Sequence, residues 1–275
     1  MPLLIVVALT VLLIAWLVAE PWLVEWRRQR LRRQPFPLAW RRILRRRWPY
    51  LRRLPADLQI QLKRHMLVFL KEKAFIGCRG LTVTDEMRVT VAAQACLLLL
   101  NRPAGRTDYF PGLRQVLLYP GPFVVDRVHG VGAGVLQNQR RVLAGESWSQ
   151  GQVILSWDDV LSGAAMPQDG HNVVIHEFAH QLDQDHGPAD GAPWLGSRAR
   201  QQRWSQVMND EYALLQQRLQ MQQPSLLSAY AATEPAEFFA VASEVFYSQP
   251  ARLAAEHPAL YRELRDCYRV DPLSW

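Results

Sequence analysis

Cysteine is scarce in this 275-residue chain, which contains only Cys78, Cys96 and Cys267. Their number is odd and no two of them have a Cys-x-x-Cys spacing. The pattern therefore argues against a disulfide framework and against a zinc site built from thiolates, and it is typical of a reducing compartment. A cysteine protease is also disfavoured, because no histidine pattern accompanies any of the three.

A glycine-rich phosphate-binding loop is missing as well. Gly130, Gly132 and Gly134 come nearest to one, but no lysine follows them and they do not lie between a strand and a helix. The sequence thus lacks the usual sign of a nucleotide-binding enzyme.

Acidic side chains are absent from residues 27–53, which contain twelve arginines. The net charge of +7 belongs to this short stretch, and the chain after residue 53 is slightly acidic. We interpret residues 27–56 as a basic juxtamembrane segment that lies on anionic lipid headgroups. Nucleic-acid contact and a solvated linker are the alternatives, but the charge of the whole chain does not support a nucleic-acid partner.

Charged side chains are also absent from residues 3–19, which read LLIVVALTVLLIAWLVA. With the following PWLVEW, this run is long enough to cross the ~30 Å hydrocarbon layer of a bilayer, so we predict a transmembrane anchor over residues 1–26. The arginines that follow it favour an inner (plasma) membrane location, with a single pass and a cytoplasmic body. Residues 1–53 would then contact membrane lipid. A cleaved signal peptide is the alternative, but the basic n-region is missing.

The folded body is predicted to begin near Asp57 and to form one α+β domain over residues 57–275. Helices are predicted where apolar residues recur with helical periodicity. Strands are predicted where β-branched residues form short runs bounded by glycine and proline. The expected helices are 57–73 and 84–100, the expected strands are 116–125 and 152–157, and the chain is mainly helical after about residue 169.

The segment His176-Glu177-Phe178-Ala179-His180 carries the chemistry. Positions i and i+4 of a helix share a face, so both imidazoles can bind one zinc ion, and Glu177 can reach a water molecule as a general base. Two surface histidines on a helix are the alternative. The apolar flanks weaken it, because a buried His-Glu-His group needs a partner. Asp169 or Asn172 can cap the start of this helix.

A further ligand is expected from the segment that contains Glu237 and Glu244. The two carboxylates are seven residues apart, or about 10 Å along a helix, so they cannot both bind one ion. One should bind the metal and the other should hold a ligand histidine or the helix pair. Spacing alone leaves the assignment open, and an ion pair with an arginine remains an alternative for Glu244. Asp183 lies on the same helical face as the ligand histidines. It is either a hydrogen-bonding partner of a metal ligand or a simple surface acid of the helix.

Four segments resemble the Mlc titration factor A family of zinc peptidases, whose metal site is similar to that of anthrax lethal factor. They are HEFAHQLD, AYAATEPAEFFAVASE, PGPFVVD and VLQNQRRVLAGESWSQGQVILSW, and the similarity spans roughly residues 57–273. The resemblance implies one Zn²⁺ bound by His176, His180 and Glu237. It also implies Glu177 as the catalytic glutamate and Tyr230 as an active-site tyrosine.

We therefore expect a zincin-type domain that hydrolyses peptide bonds, with aminopeptidase action suggested by the family. Residues 153–157 are interpreted as an edge strand that pairs with an extended peptide or protein substrate, or else as a core strand. The alternative function is a regulatory protein that sequesters a transcriptional repressor, with peptidase activity secondary. The best-known family members lack the hydrophobic N-terminal segment, so their partner does not transfer directly to this chain.

Overall fold

The computed structural model describes residues 2–102, 108–131, 135–143, 145–148, 151–165 and 170–275. Helices dominate it. They are α1 (Pro2–Arg32), α2 (Leu38–Arg47), α3 (Ala56–Glu72), α4 (Asp85–Leu97), α5 (Trp157–Ala165), α6 (Val173–Asp183), α7 (Arg198–Gln220), α8 (Pro235–Ser248), α9 (Pro250–Glu256) and α10 (Pro258–Tyr268). The strands are β1 (Ala74–Gly77), β2 (Gln115–Tyr119), β3 (Phe123–Val131), β4 (Val135–Leu143), β5 (Gly145–Trp148) and β6 (Gln152–Ser156). The predicted helices 57–73 and 84–100 correspond to α3 and α4.

A small four-stranded sheet has the order β1-β2-β6-β5. β1, β2 and β6 are parallel, whereas β5 runs antiparallel to β6 and lies at the edge. The edge position predicted for residues 153–157 is therefore wrong, because β6 has a neighbour on each side. β3 and β4 form a separate antiparallel hairpin. The single strand predicted over residues 116–125 is divided between β2 and β3, since proline cannot donate to a central ladder and two prolines lie between them.

The core lies between the sheet and the helices α3, α4, α6 and α8. Phe178 of α6 is its centre, with ring centroids 5.7 Å from Phe69 of α3 and 4.8 Å from Phe110. All three side chains are almost completely buried. Burying a phenylalanine contributes about 1.5–3 kcal/mol, so this cluster fixes α6 against α3 from one side. The opposite side of α6 is left for the polar residues of the site.

Part of the predicted basic segment belongs to this same core. The buried hydrophobic residues before Asp57 are Phe36, Leu44, Trp48, Tyr50, Leu51 and Leu54. The Tyr50 hydroxyl also donates to the backbone carbonyl of Tyr247 at 2.9 Å. The packed body therefore starts earlier than the predicted position near Asp57, because the apolar residues between the arginines share one face of α2 and cover the core. The division into 1–26, 27–56 and 57–275 otherwise stays a prediction.

Helix α1 is exposed along its apolar length, and it is long and apolar enough to cross a membrane. Its length and composition also suit a signal sequence. The helix continues past residue 26, and its last turns contact the body. Arg28 Nε pairs with Glu72 Oε1 at 2.8 Å, and Arg32 Nε donates to the Tyr109 hydroxyl at 3.1 Å. These bonds join the end of α1 directly to α3 and to the loop before β2.

Candidate metal centre

Helix α6 presents the two motif histidines because its start is fixed by a side-chain cap. Asn172 Oδ1 accepts a hydrogen bond from the Ile175 backbone N–H at 3.0 Å, which satisfies one unpaired donor of the first turn. Asn172 is thus the cap that the sequence offered, while Asp169 lies outside the described residues. With Phe178 buried in the core, His176 and His180 point away from it toward α8.

Three ligand atoms converge between α6 and α8. His176 Nε2 lies 3.0 Å from Glu237 Oε2, His180 Nε2 lies 3.4 Å from the same oxygen, and the two Nε2 atoms are 3.2 Å apart. Together they form a group of His and Glu donors that can hold one metal ion. The structure therefore brings His176, His180 and Glu237 together.

The hydrogen bonds around His176 favour a positive charge among the ligand atoms, from either a proton or a cation. His176 Nδ1 lies 2.8 Å from Glu244 Oε1, so it carries the proton of that bond. In a neutral His176 the Nε2 atom then presents a lone pair to Glu237 Oε2 and His180 Nε2, which are themselves electron-rich. Three such atoms within 3.4 Å repel one another unless a proton or a cation lies between them. The donor set of two imidazoles and a carboxylate suits zinc.

The electrostatics of the cluster point in the same direction. Burial lowers the pKa of His176, but hydrogen bonds with Glu237 and Glu244 outweigh this effect and raise the pKa well above its ordinary value. Burial alone would raise the pKa of Glu237, yet hydrogen bonds with His176 and His180 hold it well below its usual range. The site thus favours a positive charge next to an ionised Glu237, and a metal ion supplies such a charge without a proton.

Glu244 bonds to His176 from outside the three ligand atoms. It belongs to a buried chain of hydrogen bonds that starts at His176. Its Oε2 accepts from the Asn172 backbone N–H at 2.5 Å. The Asn172 side-chain amide in turn donates to Gln94 Oε1 at 2.7 Å, and Gln94 Nε2 donates to the Thr90 carbonyl at 3.1 Å. The chain therefore links α4 to His176 through Asn172. Sequence reasoning missed Gln94, which is 78 residues from Asn172 and carries no local signal.

Glu177 lies beside the edge strand of the sheet and is only 4% exposed. A Cβ atom at Gly145, the first residue of β5, would lie 2.6 Å from Glu177 Oε1. Real Cβ atoms essentially never approach so closely, so glycine at position 145 lets β5 pass directly against the glutamate. The structure thus places Glu177 at the junction of α6 and β5.

Tyr230 lies on the open side of the cluster. It belongs to a 3-10 helix over Ala229–Ala232, is 42% exposed, and its ring centroid is 6.0 Å from that of His176. Thr233 Oγ1 donates to the Tyr230 carbonyl at 2.8 Å, and this bond supports the turn that leads into α8. The tyrosine is therefore near the ligands and also accessible from solvent.

Asp183 is not a surface acid, and within the described residues its carboxylate bonds to backbone groups. It is buried, and its carboxylate accepts from the backbone N–H groups of Gly191 at 2.7 Å and Ala192 at 2.9 Å. Burial is the main cause that raises the pKa of Asp183 to about 6. A Cβ at Gly191 would lie 2.5 Å from the Pro235 carbonyl, so Asp183 fixes a loop that touches the start of α8. This contact sets the spacing between α6 and α8.

Comparison with known proteins identifies the family. The family model described as "Glucose-regulated metallo-peptidase M90" matches residues 23–269. The uncharacterized protein slr2042 of Synechocystis sp. is 39% identical over 270 residues, which cover 97% of each chain. Mlc titration factor A of Klebsiella pneumoniae subsp. pneumoniae is 34% identical over 229 residues, which cover 82% of this chain and 84% of that protein.

A further relative supports the same assignment. Mlc titration factor A of Pectobacterium atrosepticum is 35% identical over 209 residues, which cover 75% of this chain and 77% of that protein. The resemblance stated from the four sequence segments is thus confirmed, and the Synechocystis match covers enough of the chain to extend into helix α1. The chain belongs to the glucose-regulated metallopeptidase M90 family.

Proposed function

We propose that this chain is a zinc metallopeptidase in which His176, His180 and Glu237 hold the metal and Glu177 is the general base. The convergence of the three ligand atoms within 3.4 Å of one another is the observation that carries the proposal. Family membership supports it, because the family is one of metallopeptidases. The HExxH helix beside a small mixed sheet also supports a zincin-type fold.

The residues around the metal position have different roles in the proposed hydrolysis of a peptide bond. Bound zinc would supply a Lewis acid and lower the pKa of the attacking water toward about 7. Glu177 takes a proton from the water and later returns it to the leaving amine. Tyr230 donates a hydrogen bond to the oxyanion that develops on the substrate carbonyl. Its side chain is 42% exposed and its ring lies 6.0 Å from that of His176, so the tyrosine borders both the solvent and the ligand cluster.

The edge strand β5 is the proposed binding surface for the substrate backbone. β5 pairs with β6 on one side and ends the sheet on the other, and Gly145 at its start touches Glu177. An extended peptide that adds to this edge would be held by main-chain hydrogen bonds with its scissile bond close to the glutamate. Aminopeptidase action is the form of cleavage that we propose from the family.

Metal analysis combined with a peptide library tests the enzyme proposal. Purified full chain should contain about one zinc per molecule, and His176→Ala or His180→Ala should lose it. Glu177→Gln should keep the metal and lose turnover by roughly 10²–10⁴-fold, because it removes a general base. Loss of zinc in Glu177→Gln would show that Glu177 is a ligand and that the assigned role is wrong.

A regulatory function is the second candidate. The relatives named Mlc titration factor A carry the name of a partner, and this chain is 34–35% identical to them. A protein that sequesters a repressor would not need the proton transfer by Glu177. The Glu177→Gln variant in cells separates the two functions, since a retained cellular effect favours sequestration and a lost one favours hydrolysis.

We further propose that α1 anchors the chain in the plasma membrane with the body in the cytoplasm. The arginines after residue 26 favour the cytoplasmic side by the positive-inside bias. Two C-terminal reporter fusions, one active only in the cytoplasm and one only outside, test the orientation. Carbonate-resistant sedimentation and an active cytoplasmic reporter are expected. Cleavage near residue 20 would instead mean that α1 is a signal peptide.

A further inference from the structure

Four of the five arginines of α2 fall into two sets. Arg46 and Arg47 both pair with Glu86 of α4, the first at 2.6 Å. Arg41 and Arg45 are four residues apart, so they share a helical face, and both are exposed. Within the described part of the chain, neither of these two makes an ion pair. Sequence composition treats all five alike, whereas the structure separates the arginines used by the fold from those left over.

Lys63 of α3 completes a cluster with these two arginines. Burial lowers the pKa of Lys63, and the nearby charges of Arg41 and Arg45 lower it further. Like charges close together destabilise the folded chain through repulsion, and a bound anion would remove that cost. We define Arg41, Arg45 and Lys63 as the basic cluster. Its members come from two different helices, α2 and α3.

If α1 crosses a membrane, the short connection from α1 to α2 limits how far the basic cluster can lie from the membrane surface. Arg28 and Arg32 fix the end of α1 to the body, and α2 begins only six residues after Arg32. Residues of a helix advance about 1.5 Å each, so Arg32 lies about 9 Å beyond Trp26 at the predicted edge of the hydrocarbon. The headgroup layer is roughly 5–7 Å deep and the Debye length is about 8 Å, so charges at this depth feel the anionic surface.

We propose that Arg41, Arg45 and Lys63 bind the phosphates of anionic phospholipid headgroups beside α1, so that the body rests on the bilayer by one fixed face. The inference rests on the proposed anchor. Leu38 supports it, because this apolar residue is 67% exposed and lies on the same stripe as Arg41 and Arg45. An exposed leucine next to cations suits the boundary between headgroups and acyl chains.

Native mass spectrometry of the full chain in neutral detergent micelles tests the cluster, with phosphatidylglycerol and phosphatidylcholine as probes. Wild type should bind phosphatidylglycerol at least tenfold more tightly than phosphatidylcholine. Arg41→Gln/Arg45→Gln/Lys63→Gln should lose at least tenfold of that affinity, because three cations near the surface are removed. The matched control is Arg198→Gln/Arg218→Gln/Arg262→Gln on α7 and α10, which should bind as wild type does.

Other outcomes distinguish failure of the cluster from failure of the anchor. The triple variant should still resist carbonate extraction, since α1 is unchanged. Extraction of the wild type would overturn the anchor, whereas phosphatidylglycerol binding unaffected by the triple substitution would overturn the cluster. An RNA oligonucleotide that binds wild type more tightly than the lipid, and competes with it, would assign the cluster to nucleic acid instead.

Discussion

The metal-site region, formed by α6 and α8, differs from the exposed basic face of the N-terminal region, which spans residues 2–54, in how polar side chains are partnered. At the metal site His176, whose side chain is 12% exposed, is bonded to the buried Glu244, and a chain of hydrogen bonds continues to α4. In the N-terminal region Arg41 and Arg45 are exposed and repel Lys63. Buried polar groups are costly without partners, whereas exposed charges can remain without them because water solvates them.

This contrast has a functional meaning. Preorganised partners hold ligand atoms in one geometry, which a catalytic metal site requires. Exposed cations on a helix face keep their rotamer freedom and can adapt to a soft, anionic surface. The molecule thus combines a rigid centre with an adaptable basic surface, joined through the core contacts of Leu44 and Trp48.

The largest effect is expected from the two carboxylates of α8. Glu237→Ala should lose the metal, because it removes a ligand, while Glu244→Ala should keep it with roughly 10 to 100-fold lower affinity. Zinc titration with a competing chelator measures both constants. The reverse ranking would exchange the roles of the two glutamates and break the view that Glu244 acts only through His176.

Tyr230→Phe tests the exposed member of the metal-site region. Removing one oxyanion donor typically lowers kcat by about 10²–10³-fold, and zinc content and folding should not change. Steady-state kinetics should show a much smaller change in KM, because the hydroxyl acts mainly in the transition state. A normal kcat would leave Tyr230 with a packing role only.

Leu44→Ala tests whether the N-terminal region is part of the folded body. Leu44 is completely buried, so its truncation should lower the free energy of unfolding by about 2–5 kcal/mol. Leu38→Ala on the same helix is the control. It removes a 67% exposed side chain and should change stability by less than about 0.5 kcal/mol. Denaturant unfolding of the full chain in detergent gives both values, and equal effects would restore the linker interpretation.

The smallest effect is expected at Asn172, where a cap and a hydrogen-bonded chain meet. Asn172→Ala removes the cap and the link to Gln94, while the backbone N–H can still donate to Glu244. It should cost about 0.5–2 kcal/mol of stability for the cap, together with weaker zinc binding. Asn172→Ser keeps a capping oxygen but cannot reach Gln94 as the amide does. Its stability should therefore recover more than its zinc affinity, which calorimetry and chelator competition can compare. Parallel recovery of both would mean that Gln94 does not position His176.

The sequence by itself determined the parts of the molecule that depend on local spacing. The HExxH pattern predicted that His176 and His180 share one face, because the period of a helix is fixed by backbone geometry. The cap by Asn172, the helices α3 and α4 and the uncharged run of α1 also follow from local preferences. Spacing also predicted that Glu237 and Glu244 must have different roles, but not which one faces the metal.

Tertiary structure alone decided which distant residues meet. Only the packing of α8 on α6 turns Glu237 toward both histidines. The same packing turns Glu244 toward Nδ1 of His176. Sheet order made β5 the edge strand in place of residues 153–157, since pairing partners are not encoded within a strand. Packing of α2 also paired Arg46 and Arg47 with Glu86 and left Arg41 and Arg45 exposed. Such choices depend on contacts between segments far apart in the chain, which local residue patterns do not specify.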